Sequence, residues 1–311
     1  FAVSAAPRAL SAWRSDRRGW ALAGAALALA ASFARPQIHL ERPRFEHVVV
    51  LDVTQSMNVA DETLDGRSVS RLVAAKQALR QAVEALPCGS KIGWAIFTEY
   101  RAYLLFTPVE VCAHRAELRS SLAAIDSRMA WSGNSEVAKG LHSGIGIARQ
   151  LPGVPSLVFV SDGHEAPPLN PRHRPRFDDK PGEVAGVVVG VGALRPSPIP
   201  KSDLLGRPLG WWGADEVQQT DPHSEGRGGS VSGERLADEP DAAPAAALGA
   251  LPGSEHLSSV REAHLRLLAA ENGLAYHRLR SAEDLAAALR APALVRPVRA
   301  PLDLRPALAA L

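Results

Sequence analysis

The sequence predicts an α/β protein with a doubly wound, mainly parallel sheet, one antiparallel edge strand and an N-terminal membrane helix. Apolar runs typical of buried strands alternate with amphipathic helical patterns, which indicates parallel strands with helices on both faces of the sheet. One pair of strand patterns is separated only by "EYR" and therefore predicts a hairpin, which adds the antiparallel strand at an edge. Residues 19–34 carry no charge and follow a basic segment, which suggests the membrane helix.

Composition narrows the class of protein. The chain has 311 residues, 46% hydrophobic and 22% charged, which is ordinary for a globular protein with one large core. Its net charge is only +2, from 35 basic and 33 acidic residues, so we expect no nucleic-acid partner. Proline and glycine concentrate between residues 152 and 252, which predicts long insertions in that part of the chain.

The uncharged run near the N-terminus has three interpretations: a short membrane anchor, a secretory h-region cut near Ala34, or a buried helix of a soluble protein. Basic residues before the run favour the first two, and both place the following domain outside the cytoplasm. At ~1.5 Å per residue, the run is slightly short for a hydrocarbon core of ~30 Å. We expect a cytoplasmic basic segment at 1–18, an anchor at 19–35 in the bacterial inner membrane and a periplasmic domain, with a cleaved signal as the alternative.

The first strand is predicted at residues 47–53, an unbroken apolar run typical of a central parallel strand, and the first helix of the domain at 70–86. The remaining elements follow in chain order. They are strands at 91–98 and 102–106, helices at 110–125 and 135–151, strands at 156–160 and 184–191, a helix from the "SVRE" capping box at Ser259 to Asn272, a strand at 274–279 and a capped helix at 281–290.

The same patterns predict the domain boundaries. A linker covers residues 35–45, and the domain spans 44–291 with insertions at 164–182 and 194–257. Residues 220–251 have almost no large apolar side chains, so we expect them to be disordered. The Pro-, Arg- and Leu-rich tail, 292–311, has no clear pattern.

Short oxygen-bearing side chains stand at the ends of predicted elements. Asp52, Thr54 and Ser56 follow the first strand in "LDVTQS", Asp162 follows a later strand in "VFVSDG", and Ser135 begins a helix in "SGNSE". Each alone is explained by a turn or a helix cap. Because ligands of open α/β sheets bind beyond the carboxyl ends of the strands, the three segments together predict one site. Carboxylate and hydroxyl oxygens suit a hard divalent cation, whereas zinc prefers thiolate and imidazole ligands.

"DVTQS", "GNS" and "SDG" together resemble the metal-ion-dependent adhesion site (MIDAS) of von Willebrand factor A (VWA) domains, whose pattern is DxSxS with a distant Thr and a distant Asp. The resemblance covers roughly residues 47–290 and implies a Rossmann-like fold. It also implies a magnesium ion, with calcium as the alternative, held by Asp52, Thr54, Ser56, Ser135 and Asp162. Thr54 replaces the first Ser of the pattern and Ser135 replaces the Thr, and both changes keep a hydroxyl. The family implies binding of a protein that offers an acidic residue to the metal.

A narrower resemblance concerns the loops. "ARPQ", "RAYLLFTP" and "GRPLGWW" look like bacterial membrane-anchored A-domain proteins, and "GNSEVAKGL", "VSDGHEAPPL" and "GWWGADEV" are most similar to the MxaL-type proteins of methanol-oxidation clusters. This resemblance implies a role in assembly or calcium loading of periplasmic methanol dehydrogenase. The alternative is a general scaffold or chaperone-associated protein of the cell envelope.

Four loop residues are predicted to contact the partner, namely His164, Glu165, Trp211 and Trp212. Aromatic side chains beside acidic ones are common at protein–protein contacts. The alternative for the two tryptophans is a hairpin that covers one edge of the sheet.

Enzymatic interpretations fit the sequence less well. A haloacid-dehalogenase-type phosphatase needs a second Asp at the position of Thr54, and the "FDDK" segment at Asp178 lies in a loop and not after a strand. A serine hydrolase needs a nucleophile elbow, for which "GNSEV" lacks the glycine. We therefore predict no catalytic residues.

The two cysteines flank the predicted hairpin. With a turn at Glu99 and Tyr100, Cys88 lies opposite Val111, next to Cys112. A slip of one residue would bring the two Cα atoms within the ~7 Å that a disulfide needs, and an exported domain would keep such a bond oxidised. Two unrelated buried thiols are the alternative.

Overall fold

The computed structural model describes residues 17–33, 37–203, 205–220, 235–238, 245–303 and 305. The chain divides into two units, of which one is Arg44–Arg296 and the other combines the described residues on either side of it. All predicted site residues lie in the larger unit.

The helices of the described residues are α1 (Arg17–Phe33), α2 (Arg71–Glu84), α3 (Arg115–Ala124), α4 (Val137–Gln150), α5 (Glu262–Glu271) and α6 (Ala282–Leu289). The strands are β1 (Gln37–Arg44), β2 (Glu46–Asp52), β3 (Glu62–Leu64), β4 (Arg67–Val69), β5 (Lys91–Thr98), β6 (Arg101–Glu110), β7 (Ser156–Ser161), β8 (His173–Arg176), β9 (Gly186–Gly190), β10 (Ser197–Pro198), β11 (Pro200–Ser202), β12 (Pro208–Trp211), β13 (Arg235–Asp238), β14 (Leu257–Ser258), β15 (Ala275–Arg278) and β16 (Arg296–Asp303).

Six strands form the central sheet of the larger unit in the order β15-β9-β7-β2-β5-β6. Neighbouring strands are parallel except at one edge, where β5 and β6 form the antiparallel hairpin. The predicted mixed, mostly parallel sheet with one antiparallel edge strand is therefore confirmed. Strand β2 lies in the middle, with β7 and β5 on its two sides.

Both faces of β2 are buried. Val49 and Leu51 join the core that α2, α3 and α6 complete, whereas Val48 and Val50 join the core on the opposite face, beneath α4 and α5. A strand covered on both sides needs apolar residues at every position, which explains why its sequence does not alternate.

Local signals predicted two helix starts correctly and one incorrectly. Ser70 and Ser281 cap α2 and α6 by accepting hydrogen bonds from the backbone N–H three residues later. The predicted capping box at Ser259 is wrong, because α5 begins only at Glu262. Val260 N–H instead donates to Ala193 O and Arg261 N–H to Asp162 O, which holds this segment extended against the end of the sheet.

The hairpin turns at Glu99 and Tyr100 as predicted, with Thr98 paired to Arg101. Register shifts on both sides of Trp94 then change which residues of β5 and β6 lie opposite each other, so the pairing near the start of β5 differs from the one that the turn alone predicts. Gly93 permits this close approach, since a Cβ there would lie 2.8 Å from Phe106 O. Cys112 lies in the turn after β6, where its Cα is 5.3 Å from that of Cys88, and the two cysteines form a disulfide.

The predicted membrane anchor at residues 19–35 is not supported. In the described part of the chain, no helix is long and apolar enough to cross a membrane. Helix α1 has 17 residues. Most of the predicted cytoplasmic segment, residues 1–16, lies outside the described residues.

Segments predicted to be irregular also contain strands. The linker and the tail pair with each other as β1 and β16, a two-stranded sheet in which every strand is an edge and prolines are tolerated. Disorder was predicted for residues 220–251, yet β13 pairs antiparallel with β8 and Ala245–Leu248 forms a short 3₁₀ helix. Residues 221–234 and 239–244 of that segment lie outside the described residues.

Candidate metal centre

The five predicted ligand residues come together at one edge of the central sheet. Asp52 ends β2, and Asp162 directly follows β7, the parallel neighbour of β2. Thr54 and Ser56 lie in the chain that leaves β2. Backbone bridges from Ser135 to Glu99 and to Ala166 hold the loop before α4 at the same edge.

Three hydroxyl groups from two segments meet at the centre of this site. Thr54 Oγ1 lies 3.4 Å from Ser56 Oγ and 3.4 Å from Ser135 Oγ. All three residues are buried, with at most 3% of their surface exposed. The structure thus brings together hydroxyls that are about eighty residues apart in the chain.

Asp52 is fully buried next to these hydroxyls. Its Oδ1 accepts hydrogen bonds from Thr54 N (2.9 Å) and Thr54 Oγ1 (2.6 Å), and its Oδ2 accepts one from Ser161 Oγ (2.6 Å). Burial and the nearby negative charge of Asp162 raise the pKa of Asp52 to about 7, although the hydrogen bonds from Ser161 and Thr54 oppose this shift. Asp52 is therefore a carboxylate that lacks sufficient compensating charge within the protein.

Asp162 is equally buried but has a cationic partner. Its Oδ1 accepts from His164 N (2.9 Å), and its Oδ2 accepts from Arg71 Nη1 (2.5 Å) and from Ser258 Oγ (3.3 Å). Sequence reasoning missed Arg71, Ser161 and Ser258. Ser161 stands beside a predicted ligand and could have been considered, but Arg71 reaches the site from the start of α2, and no spacing rule indicates that contact.

Glu165, predicted as an exposed partner contact, is instead a buried helix cap with 3% of its surface exposed. Its carboxylate accepts hydrogen bonds from Val137 N (2.8 Å) and Ala138 N (3.0 Å), and lies 2.9 Å from His264 Nε2. Helix α4 has no side-chain cap of its own, so Glu165 supplies one from another segment. The alternative in which Ser135 caps this helix is therefore wrong.

His164 is also buried, although it was predicted on an exposed loop. Burial, followed by the positive charges of Arg261 and Arg71, holds the pKa of His164 well below its usual value. The neutral ring lies with Nδ1 3.0 Å from Arg261 Nη2, and Arg261 in turn pairs with Glu255 Oε2 at 2.5 Å. His164 thus belongs to the buried support of the site and has little surface to offer a partner.

A cavity of about 200 Å³ opens above the hydroxyl groups. Thr54, Ser56 and Ser135 line it, and Pro167, Pro168, Ile199 and Trp212 are among its other lining residues. The two carboxylates, Asp52 and Asp162, lie behind this lining, since both are fully buried.

The two tryptophans have different environments. Trp212 lines the cavity, and its indole N–H donates to Gln55 Oε1, between two of the predicted ligands. Lys201 Nζ lies over its ring, 4.5 Å from the centroid. Trp211 has 68% of its surface exposed at the end of β12. Trp212 therefore supports the site, while Trp211 remains available for contact.

The alternative chemical groups lie elsewhere. Asp178 and Asp179 line a separate cavity of about 750 Å³ with His142 and Arg149, and Asp179 interacts with both of those side chains. The Ser135 hydroxyl donates to Thr54 Oγ1 and not to a histidine. The carboxylates of the "FDDK" segment therefore line a different cavity from the predicted metal ligands.

The donor set fits a hard divalent cation. Hydroxyl oxygens face the cavity, and a buried carboxylate with raised pKa, Asp52, is bonded directly to one of them. Such a pairing of uncompensated negative charge with neutral oxygen donors is what Mg²⁺ or Ca²⁺ prefers. The roles of the five residues as ligands stay a prediction.

Comparisons with known proteins agree with this fold. Residues 47–164 match the family model of the von Willebrand factor type A domain. No curated protein matches the chain significantly.

Several solved structures resemble the chain at low identity. An aerotolerance-related membrane protein from Bacteroides fragilis is 17% identical, with 79% of this chain and 96% of that chain covered and a TM-score of 0.46. The conserved hypothetical protein BatB from Bacteroides thetaiotaomicron is 15% identical, with 79% and 95% covered and a TM-score of 0.47. With TM-scores below 0.5, these likenesses carry no conclusion about this chain. With the matched residues 47–164 and a mostly parallel sheet closed by one antiparallel strand, the chain carries a VWA-type α/β fold.

Proposed function

We propose that this chain is a non-enzymatic module that binds a protein partner through a divalent cation. The observation that carries the proposal is the meeting of three hydroxyl groups beside a buried, incompletely compensated carboxylate at the floor of a cavity. Asp52, Thr54, Ser56, Ser135 and Asp162 would hold the ion, some directly and some through water. When bound, the cation supplies positive charge and free coordination positions for an acidic side chain of the partner.

The charges around the cavity support an acidic partner group. Three glutamates also line the cavity. Glu216 and Glu255 form ion pairs with Lys201 and Arg261, and Glu165 accepts hydrogen bonds from two backbone N–H groups and lies 2.9 Å from His264 Nε2. These pairs reduce the repulsion that an incoming carboxylate would otherwise meet. The apolar walls at Pro167, Ile199 and Trp212 limit water around the same position.

Calorimetric titration of Mg²⁺ and Ca²⁺ tests the proposal. Asp52→Asn should abolish binding, because it removes the charge while keeping the shape, and Ser135→Ala should weaken it at least tenfold. Ser143→Ala is the matched control, since the Ser143 hydroxyl accepts a hydrogen bond from Ala102 N away from the site. Unchanged titration of the Asp52 variant would disprove the metal site.

The partner is the finer part of the proposal. The loop resemblance to MxaL-type proteins supports periplasmic methanol dehydrogenase or another maturation protein as the partner, and a position of the domain on the periplasmic side of the inner membrane. Capture from a periplasmic extract, with and without chelator, tests this assignment. Ser135→Ala should lose the partner while keeping the fold. Retained capture by a folded Ser135 variant would favour a cation that only stabilises loops.

A further inference from the structure

Arg71 is fully buried at the candidate site, and each donor nitrogen of its guanidinium has an acceptor. Nη1 donates to Asp162 Oδ2 (2.5 Å) and Ser258 Oγ (2.7 Å), and also approaches Ser56 O (3.4 Å). Nε donates to Asp61 Oδ1 (3.0 Å), and Nη2 donates to Asp61 Oδ2 (2.6 Å) and Ser258 O (3.0 Å). The side chain therefore connects helix α2 to two predicted ligand residues, Ser56 and Asp162.

The two site carboxylates differ in their compensation. Asp162 is in direct contact with the Arg71 guanidinium, which it shares with Asp61. Asp52 accepts its hydrogen bonds from the neutral groups of Thr54 and Ser161. Removal of one partner of a buried ion pair is strongly destabilising, because the other charge then remains buried and unpaired.

We propose that Arg71 is a built-in counterion that compensates Asp162 in the cation-free protein and leaves Asp52 as the carboxylate that the cation must compensate. The counterion role stands on the ion-pair geometry, while the statement about the cation rests on the proposed function. Arg71 is then a positioning residue. It keeps Asp162, Ser56 and Ser258 assembled before any ion binds, so that the protein folds with its site already formed.

A double-mutant cycle on the full chain tests the counterion role in chelator. Arg71→Met should lower the melting temperature by more than 5 °C, because Asp162 and Asp61 both lose their cationic partner. Arg71→Met with Asp162→Asn should lose clearly less than the sum of the two single losses, since Asp162 then carries no unpaired charge and only Asp61 has lost its cationic partner. Arg174→Met is the matched control, because Arg174 is also buried and pairs with Glu271 away from the site.

Addition of Mg²⁺ provides the second measurement. With Arg71 replaced by Met, a cation meets two uncompensated carboxylates, so ~10 mM Mg²⁺ should raise the melting temperature of this variant by several degrees more than that of the unmodified protein. Arg71→Lys keeps the charge and should respond like the unmodified protein.

The outcomes separate the two proposals. Additive losses in the cycle, or a loss for Arg71→Met no larger than for Arg174→Met, would overturn the counterion role. Coupled losses with no effect of Mg²⁺ on any variant would support the counterion and overturn the metal-dependent function. If Arg71→Met does not fold, folding of the variant that also carries Asp61→Asn and Asp162→Asn supports the counterion, because both carboxylate partners of Arg71 are then neutral, and failure of that variant overturns it.

Discussion

Asp52 is part of both the central sheet and the candidate metal site. It belongs to the central strand β2, whose burial on both faces removes the carboxylate from water. The hydrogen bonds from Thr54 and Ser161 offset only part of that penalty, and the pKa of Asp52 is raised to about 7 as a result. A folded-state pKa above the usual value means that the folded protein holds a proton on Asp52 through mildly acidic pH.

Cation binding should therefore depend on pH near neutrality. Below about 7 the proton on Asp52 must leave before an ion binds, so affinity for Mg²⁺ should fall roughly tenfold for each pH unit. Titration calorimetry at pH 6 and pH 8 measures this, and two buffers of different ionisation enthalpy should reveal proton release at pH 6. Equal affinity at both values would contradict the assigned role of Asp52.

The two adjacent tryptophans should respond differently to substitution. Trp212→Ala removes a cavity wall and the hydrogen bond to Gln55, so we expect a loss of about 1–3 kcal/mol in unfolding free energy and weaker cation binding. Trp211→Ala changes a largely exposed side chain, and stability should change by less than about 0.5 kcal/mol. Urea unfolding measures both, and a larger loss for Trp211 than for Trp212 would reverse the assignment.

At the scale of elements, the site is assembled from several segments, and one of them supplies the helix cap that another lacks. Ser135 lies in the loop before helix α4. The helix has no side-chain cap of its own, and Glu165 from the loop after β7 provides one. That loop continues from Asp162. The same segment therefore supplies one predicted ligand, Asp162, and caps the helix that follows another predicted ligand, Ser135. The positions of the three hydroxyl groups therefore depend on how these segments pack against each other.

The disulfide connects the end of the β5–β6 hairpin to the segment before β5. Cys88 and Cys112 are separated by 24 residues, and closing such a loop contributes about 3 kcal/mol in the chain-entropy model. Reduction, or the Cys88→Ser/Cys112→Ser double variant, should lower the unfolding free energy by about that amount. Urea unfolding with and without reductant measures the difference, and an unchanged midpoint would show that the bond contributes little.

For the whole molecule, the unit Arg44–Arg296 contains the central sheet, both cores and the candidate site. We expect a fragment of these residues to fold alone, because a domain with its own hydrophobic core does so. The fragment should unfold in one cooperative transition and keep the cation affinity of the full chain. A fragment without tertiary circular dichroism signals would contradict this independence.

Much of this architecture could be predicted from local patterns. The unbroken apolar run of β2, the stripe of α2 and the hairpin turn at Glu99 each occupy a short stretch of chain. Predictions failed where distant segments decide. At Ser259, for example, the next two residues donate hydrogen bonds to Ala193 O and Asp162 O, beyond the ends of two strands, instead of beginning a helix. The prolines in residues 292–301 argued against a strand there, yet β16 forms. In a two-stranded sheet both strands are edge strands, which tolerate prolines that a central strand does not.

The sequence by itself determined that one strand ends at Asp52, that another ends just before Asp162 and that a helix begins near Ser135, because strand ends and helix starts are local properties of the chain. Their convergence follows from parallel pairing of β2 with β7. Only the tertiary structure decided that Arg71 pairs with Asp162, that Glu165 caps α4, and that Trp212 faces the cavity while Trp211 is exposed. Those contacts join segments far apart in the chain, and burial and charge compensation there depend on packing that local periodicity does not encode.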